Sequence, residues 1–543
     1  MNLVTSRLDI SLSRLPELAA KGFKVPGYDP SKVTIGIVHI GPGHFFASHF
    51  ADYIDDYMGK TGDLKWGIAA VSIRRPDTAA KIADKQAIRA AVAEQDNLYS
   101  LTTRAHGRSE FSIIGSVRQY LAAYDSAESA QSIMDLLCAK TTKVVSLTIT
   151  PAAYKSSEYT DSLENPNCWA GYCLKALLAR KERGLRSFDI LSCDNKEGNG
   201  DLAKKCIIDL AQKLAPDSVA WLQQNLVCPN TVVDRITPDN DGSTREYLFD
   251  QKDVFDAAPI LAEPHRGFII QSDDRSQLPD LRMVGAVYVN NALPHNDAKI
   301  WLLNGTHRAA GYIGLLLGYG TSDQVLDPQS KLNGHFAAFI AGMMDEIIGV
   351  LPNQLGWSDE QKQDFASQII RRFQNPDIND PLTRLCRDGT SKFPARILDP
   401  IRLKIAAGES FEKLAFVTAA WIRYASGQKL DGTEFNIGDT DGEKRGFKQA
   451  AREVLESFEA ARDRDADAVT QPSLAPVLAF KDVFGELKGN TAFVDAVTTA
   501  YAKIVNLGLP VALAQATWRP QKETTGVQLT IDPRLLRDRV RVA

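Results

Sequence analysis

The sequence predicts an α/β amino-terminal domain, a parallel sheet wrapped by helices, followed by a mostly α-helical carboxy-terminal domain. Three observations lead there. Four short, nearly continuous apolar runs, at residues 33–40, 66–73, 143–150 and 188–193, have the length and composition of strands buried on both faces. Helical stretches separate them. From about residue 290 the texture changes to long helical periodicities, at 297–319, 331–351, 360–374, 394–406, 410–426 and 445–463. A chain of 543 residues also exceeds what one core usually holds, so it divides into domains at 1–290 and 291–543.

The first strand, VTIGIVHI at 33–40, runs into Gly41-Pro42-Gly43, and FFASHFADYIDDYM at 45–58 follows as an amphipathic helix. GKTGD is a loop, and WGIAAVSI at 66–73 is the next strand. A strand, a glycine turn, a helix and a second strand make the first unit of a Rossmann-like domain. Such a turn lets the backbone approach a pyrophosphate, and the helix start favours its negative charge. Gly41 and Gly43 supply the first two glycines of G-x-G-x-x-G, while Phe46 takes the third position. After the second strand the chain reads Ser72-Ile73-Arg74-Arg75-Pro76-Asp77. A carboxylate there accepts bonds from a ribose hydroxyl and repels a 2′-phosphate, so Asp77 points to NAD. Arg74 and Arg75 suit the phosphate of NADP and keep that cofactor open. The polar stretches 238–244 and 427–443 are expected to be exposed loops.

Composition narrows the partners. The formal net charge is −4, so no domain-wide basic surplus invites nucleic acid or an anionic membrane. No run approaches 18 apolar residues, and the first residues lack a secretory pattern. Seven widely spaced cysteines fit free thiols in a reducing cytoplasm. Only Cys168 and Cys173 lie close in sequence, and no second close pair completes a zinc site. The expected partner is a small molecule, and a monomer is compatible with the sequence.

The most unusual segment is Lys299-Ile-Trp-Leu-Leu-Asn304-Gly-Thr-His307. It reads as a buried helix, yet it carries a lysine, an asparagine and a histidine, and Asn304-Gly305 is a turn-forming pair. On an ideal α-helix Asn304 would lie about 140° round from Lys299 and His307 about 80°, with an axial spread of about 12 Å. Oxidation of a secondary alcohol needs a base for the hydroxyl proton and donors for the developing alkoxide. A buried lysine beside other cations serves as the base, and uncharged amides serve as the donors.

The pattern Lys299, Asn304, His307 resembles the signature of the long-chain polyol dehydrogenases, the mannitol dehydrogenase family. Five further blocks resemble that family in its order: IVHIGPGHFFASH (37–49), SLTIT (146–150), SCDN (192–195), PNTVVDRITP (229–238) and DGTSKFP (388–394). The resemblance implies Lys299, Asn304, His307 and Asn195 as the catalytic set. It implies Asp234, Arg384 and Lys392 as substrate contacts, and Gly41, Gly43, Phe45 and Asp77 as cofactor contacts. Phe45 satisfies the family's G-x-G-x-F. Of the family's His-Arg-Ala-His only His49 agrees. Pro151 and Asn296 stand where members often carry glutamates, and His295 or Asp297 would then relay the proton. EPHRGFII (263–270) lacks a family tryptophan.

The activity this implies is a metal-independent oxidoreduction between a sugar alcohol, of mannitol or arabinitol type, and a ketose, with hydride transfer to NAD. A hexuronate reductase, turning fructuronate or tagaturonate into an aldonate, is the alternative. It would want an added cation, for which Arg235, Arg266 and Arg308 are the candidates. A catalytically silent nucleotide-binding protein is the third reading.

Overall fold

A computed structural model describes residues 8–149, 151–155, 162–238, 242–327, 334–462 and 472–517. Thr150, the loop positions 239–241, residues 331–333 and the charged tail 536–543 lie outside the described residues. The chain forms two compact units, residues 1–296 and 297–543.

The first unit is built on a five-stranded parallel sheet. Its strands run in the order Val117–Ala122, Gly67–Ser72, Ile35–Ile40, Val144–Leu147, Asp189–Ser192. Numbered along the chain this is 3-2-1-4-5, the doubly wound order in which ligands bind beyond the carboxyl ends of the strands. Period-2 alternation divides the central strands between two cores. Ile37, Ile68 and Ala70 pack with Phe50, Tyr53 and Ile54 of the helix Phe50–Thr61. Val38, Ile40 and Val71 face the other way, towards Leu174 and Leu177 of the helix Trp169–Glu182 and Ile207 and Leu210 of the helix Asn199–Leu214.

The stretch between the second and fourth apolar runs is not only helical. It holds the hairpin Tyr99–Ala105/Arg108–Ile114 and the edge strand Val117–Ala122. The expected helix at 45–58 is two helices, His44–Ser48 and Phe50–Thr61, broken at His49. His49 turns inward there, and its Nε2 donates to the Gly267 carbonyl at 2.8 Å.

The second unit is helical. Glu412–Ala425 is its central helix, with every residue from Leu414 to Ala425 buried. Trp421 on that helix stacks between Phe393 (4.1 Å) and Phe447 (4.9 Å). Two helices the periodicity reading did not find, Thr491–Leu507 and Leu509–Thr517, complete the unit.

Buried amides tie the loop after the fifth strand to the segment that follows Cys228. Asn199 donates to the Asp194 carbonyl (3.0 Å) and the Thr231 hydroxyl (3.0 Å), and accepts from the Thr231 backbone N–H (2.9 Å). Asn230 caps the helix Asn199–Leu214 from outside, accepting from the Gly200 N–H at 2.9 Å. Replacing Asn199 by alanine would leave the buried Thr231 N–H without an acceptor. The expected result is a loss of about 1–3 kcal/mol in stability. Chemical denaturation of Asn199→Ala beside the wild type checks it, and an unchanged midpoint would contradict it.

Candidate active site

In the first unit the glycine turn leaves the strand Ile35–Ile40 with Gly41 at φ +91°. A Cβ there would lie 2.3 Å from the Thr148 carbonyl oxygen, so only glycine fits. Gly43 differs. It is exposed, and a Cβ added to it would meet nothing within 4 Å. One glycine allows the turn, and the other leaves room for a ligand beside the backbone. Phe45 stacks on His49 at 4.9 Å, and Phe46 is buried against His39 at 3.6 Å. His39 spans the sheet end, with its ring nitrogens 2.9 Å from the Ser146 hydroxyl and 3.0 Å from the Thr148 hydroxyl. Thr148 in turn donates to the Gly41 carbonyl at 2.7 Å. The sequence reading missed His39. A histidine inside an otherwise apolar buried strand was the available signal. Asp77, Arg74 and Arg75 are all exposed, between the strand Gly67–Ser72 and the helix Ala79–Glu94.

Asn195 is exposed on the loop beyond the strand Asp189–Ser192. Its neighbour Asp194 accepts from the Tyr154 hydroxyl at 2.6 Å, and burial pushes that carboxyl up to about 7. Asp234 ends the strand Thr231–Asp234 and lies 3.3 Å from His265.

The sequence left open an ion pair between Asp234 and Arg235, and the structure places those partners elsewhere. Arg235 donates to Asp52 at 2.7 Å and to the Ser48 and Glu263 carbonyls. Arg266 binds Asp52, also at 2.7 Å, and Asp56. Both arginines, offered by the sequence as cations for an acid substrate, are taken up by carboxylates of the helix Phe50–Thr61. Their separations in sequence from Asp52 are 183 and 214 residues, so no local pattern reveals the pairing.

In the second unit Lys299–Asn304 is a π-helical turn, entered from Leu293–Ala298 and continued by the α-helix Gly305–Leu316. The Gly305 N–H donates to the Ile300 carbonyl, five residues back. This corrects the α-helical geometry expected from the sequence. In a π turn residues five apart are hydrogen-bonded neighbours, so Lys299 and Asn304 stand nearly in line rather than about 140° apart. Both are buried, each 6% exposed. The turn-forming pair Asn304-Gly305 does not break the helix. Asn304 has φ −75° and ψ −26°, and Gly305 continues at −62° and −44°. Gly305 is needed for packing, because its Cβ would sit 3.2 Å from the Arg396 carbonyl. That carbonyl belongs to a second π-helical turn, Pro394–Leu398.

His307 stacks on Phe373 at 4.7 Å, and its Nε2 has no hydrogen-bond partner among the described residues. Burial, then the charges of Arg384, Arg396, Arg308 and Arg372, hold its pKa well below the usual range, so the ring is neutral near pH 7. Arg384 donates to Asp380 at 2.7 Å. Lys392 donates to Asp388 at 2.6 Å and is partly exposed. Among the described residues no group of three or more His, Cys, Asp or Glu side chains is placed to hold a metal ion.

Residues 35–282 match the mannitol dehydrogenase Rossmann domain, and 291–505 match the mannitol dehydrogenase C-terminal domain. The chain is 31% identical to a D-mannonate oxidoreductase of Escherichia coli, over 89% of this chain and 96% of that protein. It is 30% identical to a mannitol 2-dehydrogenase of Aspergillus oryzae, over 92% of this chain and 98% of that one. Among solved structures, the Pseudomonas fluorescens mannitol 2-dehydrogenase in ternary complex with NAD and D-mannitol superposes with a TM-score of 0.76 at 28% identity. That superposition covers 94% of this chain and 100% of the other. With both family domains matched in order along the chain, the protein belongs to the mannitol dehydrogenase family.

Proposed function

We propose that this chain oxidises a polyol to a ketose, and reduces the ketose in reverse, with NAD as the hydride partner and Lys299 as the general base. The observation that carries the reading is the π-helical turn. It aligns a buried amine with a buried amide, five residues apart. Burial penalises charge on any amine, which favours the proton-accepting form. The substrate's secondary hydroxyl gives its proton to the Lys299 Nζ, and the carbinol C–H leaves as hydride. The amides of Asn304 and Asn195 donate to the developing alkoxide without competing for the proton. Neutral His307 offers an unpartnered ring nitrogen that orients the carbinol or its neighbour. Asp234, Arg384 and Lys392 supply the hydrogen bonds a polyhydroxylated chain needs.

When bound, NAD supplies the hydride acceptor. The residues present suit it, with Gly41 making the turn, Gly43 leaving open space, Phe45 beside that space and Asp77 exposed beyond the second strand. The seven cysteines are all free thiols, which suits a reducing cytoplasm.

Lys299→Ala is expected to lower turnover about 10²–10⁴-fold with the fold retained, while activity withstands EDTA. Asn304→Ala is expected to lower turnover with little change in cofactor affinity, by about 2.7–4 kcal/mol of transition-state stabilisation. Steady-state kinetics beside cofactor dissociation constants check both. Wild-type turnover in folded Lys299→Ala would rule out the lysine mechanism. A collapse of cofactor binding in Asn304→Ala, with turnover kept at saturation, would reassign that residue.

The cofactor preference follows from charge. Asp77 favours a ribose hydroxyl over a phosphate, so NAD should exceed NADP in kcat/KM, and Asp77→Ala should narrow the gap. A clear NADP preference in the wild type would assign that pocket to Arg74 and Arg75 instead.

A further inference from the structure

Two guanidinium groups in the second unit carry charge that no carboxylate among the described residues balances. Arg308 is 4% exposed. Its Nη1 donates to the Arg387 carbonyl at 2.9 Å and to the Tyr312 hydroxyl at 3.2 Å, both neutral acceptors. Its Nε is enclosed and has no acceptor. Arg396 projects from the π-helical turn Pro394–Leu398, and its Nη1 is likewise enclosed without an acceptor. The two are close enough that Arg308 lowers the pKa of the Arg396 guanidinium, which burial and that neighbour bring down to about 9. The same two arginines depress the neighbouring Lys392 and His307. The acids nearby are already engaged, Asp380 by Arg384 and Asp388 by Lys392.

Arginine pairs of this kind contrast with those of the first unit, where Arg235 and Arg266 share Asp52. A buried cation left without an anion is costly, and two together repel. A bound oxyanion removes both penalties through charge-assisted hydrogen bonds from guanidinium N–H groups. The place also matters. Arg308 directly follows His307, and the Arg396 carbonyl packs on Gly305, next to Asn304. An anion held there would be the far end of a substrate whose carbinol faces the proposed catalytic set.

We propose that Arg308 and Arg396 form an oxyanion subsite that receives the terminal carboxylate of a polyhydroxy acid, making an aldonate, with its keto acid as product, a substrate of this chain. This rests on the hydride-transfer reading above. The carbinol still loses its hydride to NAD and its proton to Lys299, and the carboxylate takes no part in the bond changes. Two enclosed donors match the two oxygens of a carboxylate. A phosphoryl group brings a third oxygen and a second charge, so a phosphorylated polyol is the competing source of the same oxyanion chemistry.

The test is a matched series with one configuration at the reacting carbinol: the alditol, its aldonate and its terminal phosphate. Each is assayed with NAD on the full chain, for wild type, Arg396→Gln and Arg396→Lys. In wild type the aldonate is expected to exceed both others in kcat/KM. Arg396→Gln should lower the aldonate-to-alditol preference about ten- to hundredfold, mainly through KM, and lysine should restore part of it. Thermal shift by the aldonate, expected in wild type and lost in Arg396→Gln, reads the subsite without catalysis. A wild-type preference for the alditol, or an equal loss on both substrates in Arg396→Gln, would overturn the subsite. A preference for the phosphate would assign it to that group instead. Absence of hydride transfer with all three, beside an Arg396-dependent thermal shift, would retain the subsite and reject the hydride-transfer reading.

Discussion

The candidate site depends on backbones that approach more closely than any side chain permits. At Gly41 a Cβ would fall 2.3 Å from the Thr148 carbonyl, and at Gly200 it would fall 2.4 Å from the Pro229 carbonyl. At Gly305 the corresponding distance to the Arg396 carbonyl is 3.2 Å. Each contact sits beside residues the chemistry needs. The first shapes the glycine turn, and the second packs the helix that holds the Asn195 loop. The third seats one π-helical turn on another. Packing of this kind makes the π turn tolerable, since its hydrogen-bond register is otherwise rare. The turn then presents Lys299 and Asn304 together.

Charge is distributed differently in the two units. In the first, Asp52 and Asp56 absorb Arg235 and Arg266, so a cation that sequence position made available to substrate has a structural task. In the second, Arg308 and Arg396 lie near His307 without acidic partners. The neutral state of His307 follows from this arrangement. A ring surrounded by cations and removed from water does not hold a second proton, and it remains able to hydrogen-bond a hydroxyl.

The parallel strands were legible because strands buried on both faces read as uninterrupted apolar runs, as Ile35–Ile40 and Gly67–Ser72 do. The hairpin Tyr99–Arg108 region was not, because its second strand mixes exposed Arg108 and Glu110 with buried Phe111. Lys299, Asn304 and His307 were found by their types and spacing, but their mutual geometry was not. Periodicity arguments assume an α-helix, and nothing in the residues signals the wider turn. Arg396 went unnoticed inside FPARILDP, although an arginine among residues bound for a buried face was the available clue. Partners such as Asp52 for Arg235 are set by tertiary folding and have no local signature.

The central claim is that Lys299 and Asn304 act on one substrate oxygen. A crystal structure of the chain with NAD and a turned-over substrate or its unreactive analogue tests it most directly. The account predicts the Lys299 Nζ and the Asn304 amide nitrogen both within about 2.6–3.2 Å of the same hydroxyl oxygen. A substrate bound with its reacting hydroxyl on other groups, and Lys299 out of reach of it, would contradict the account.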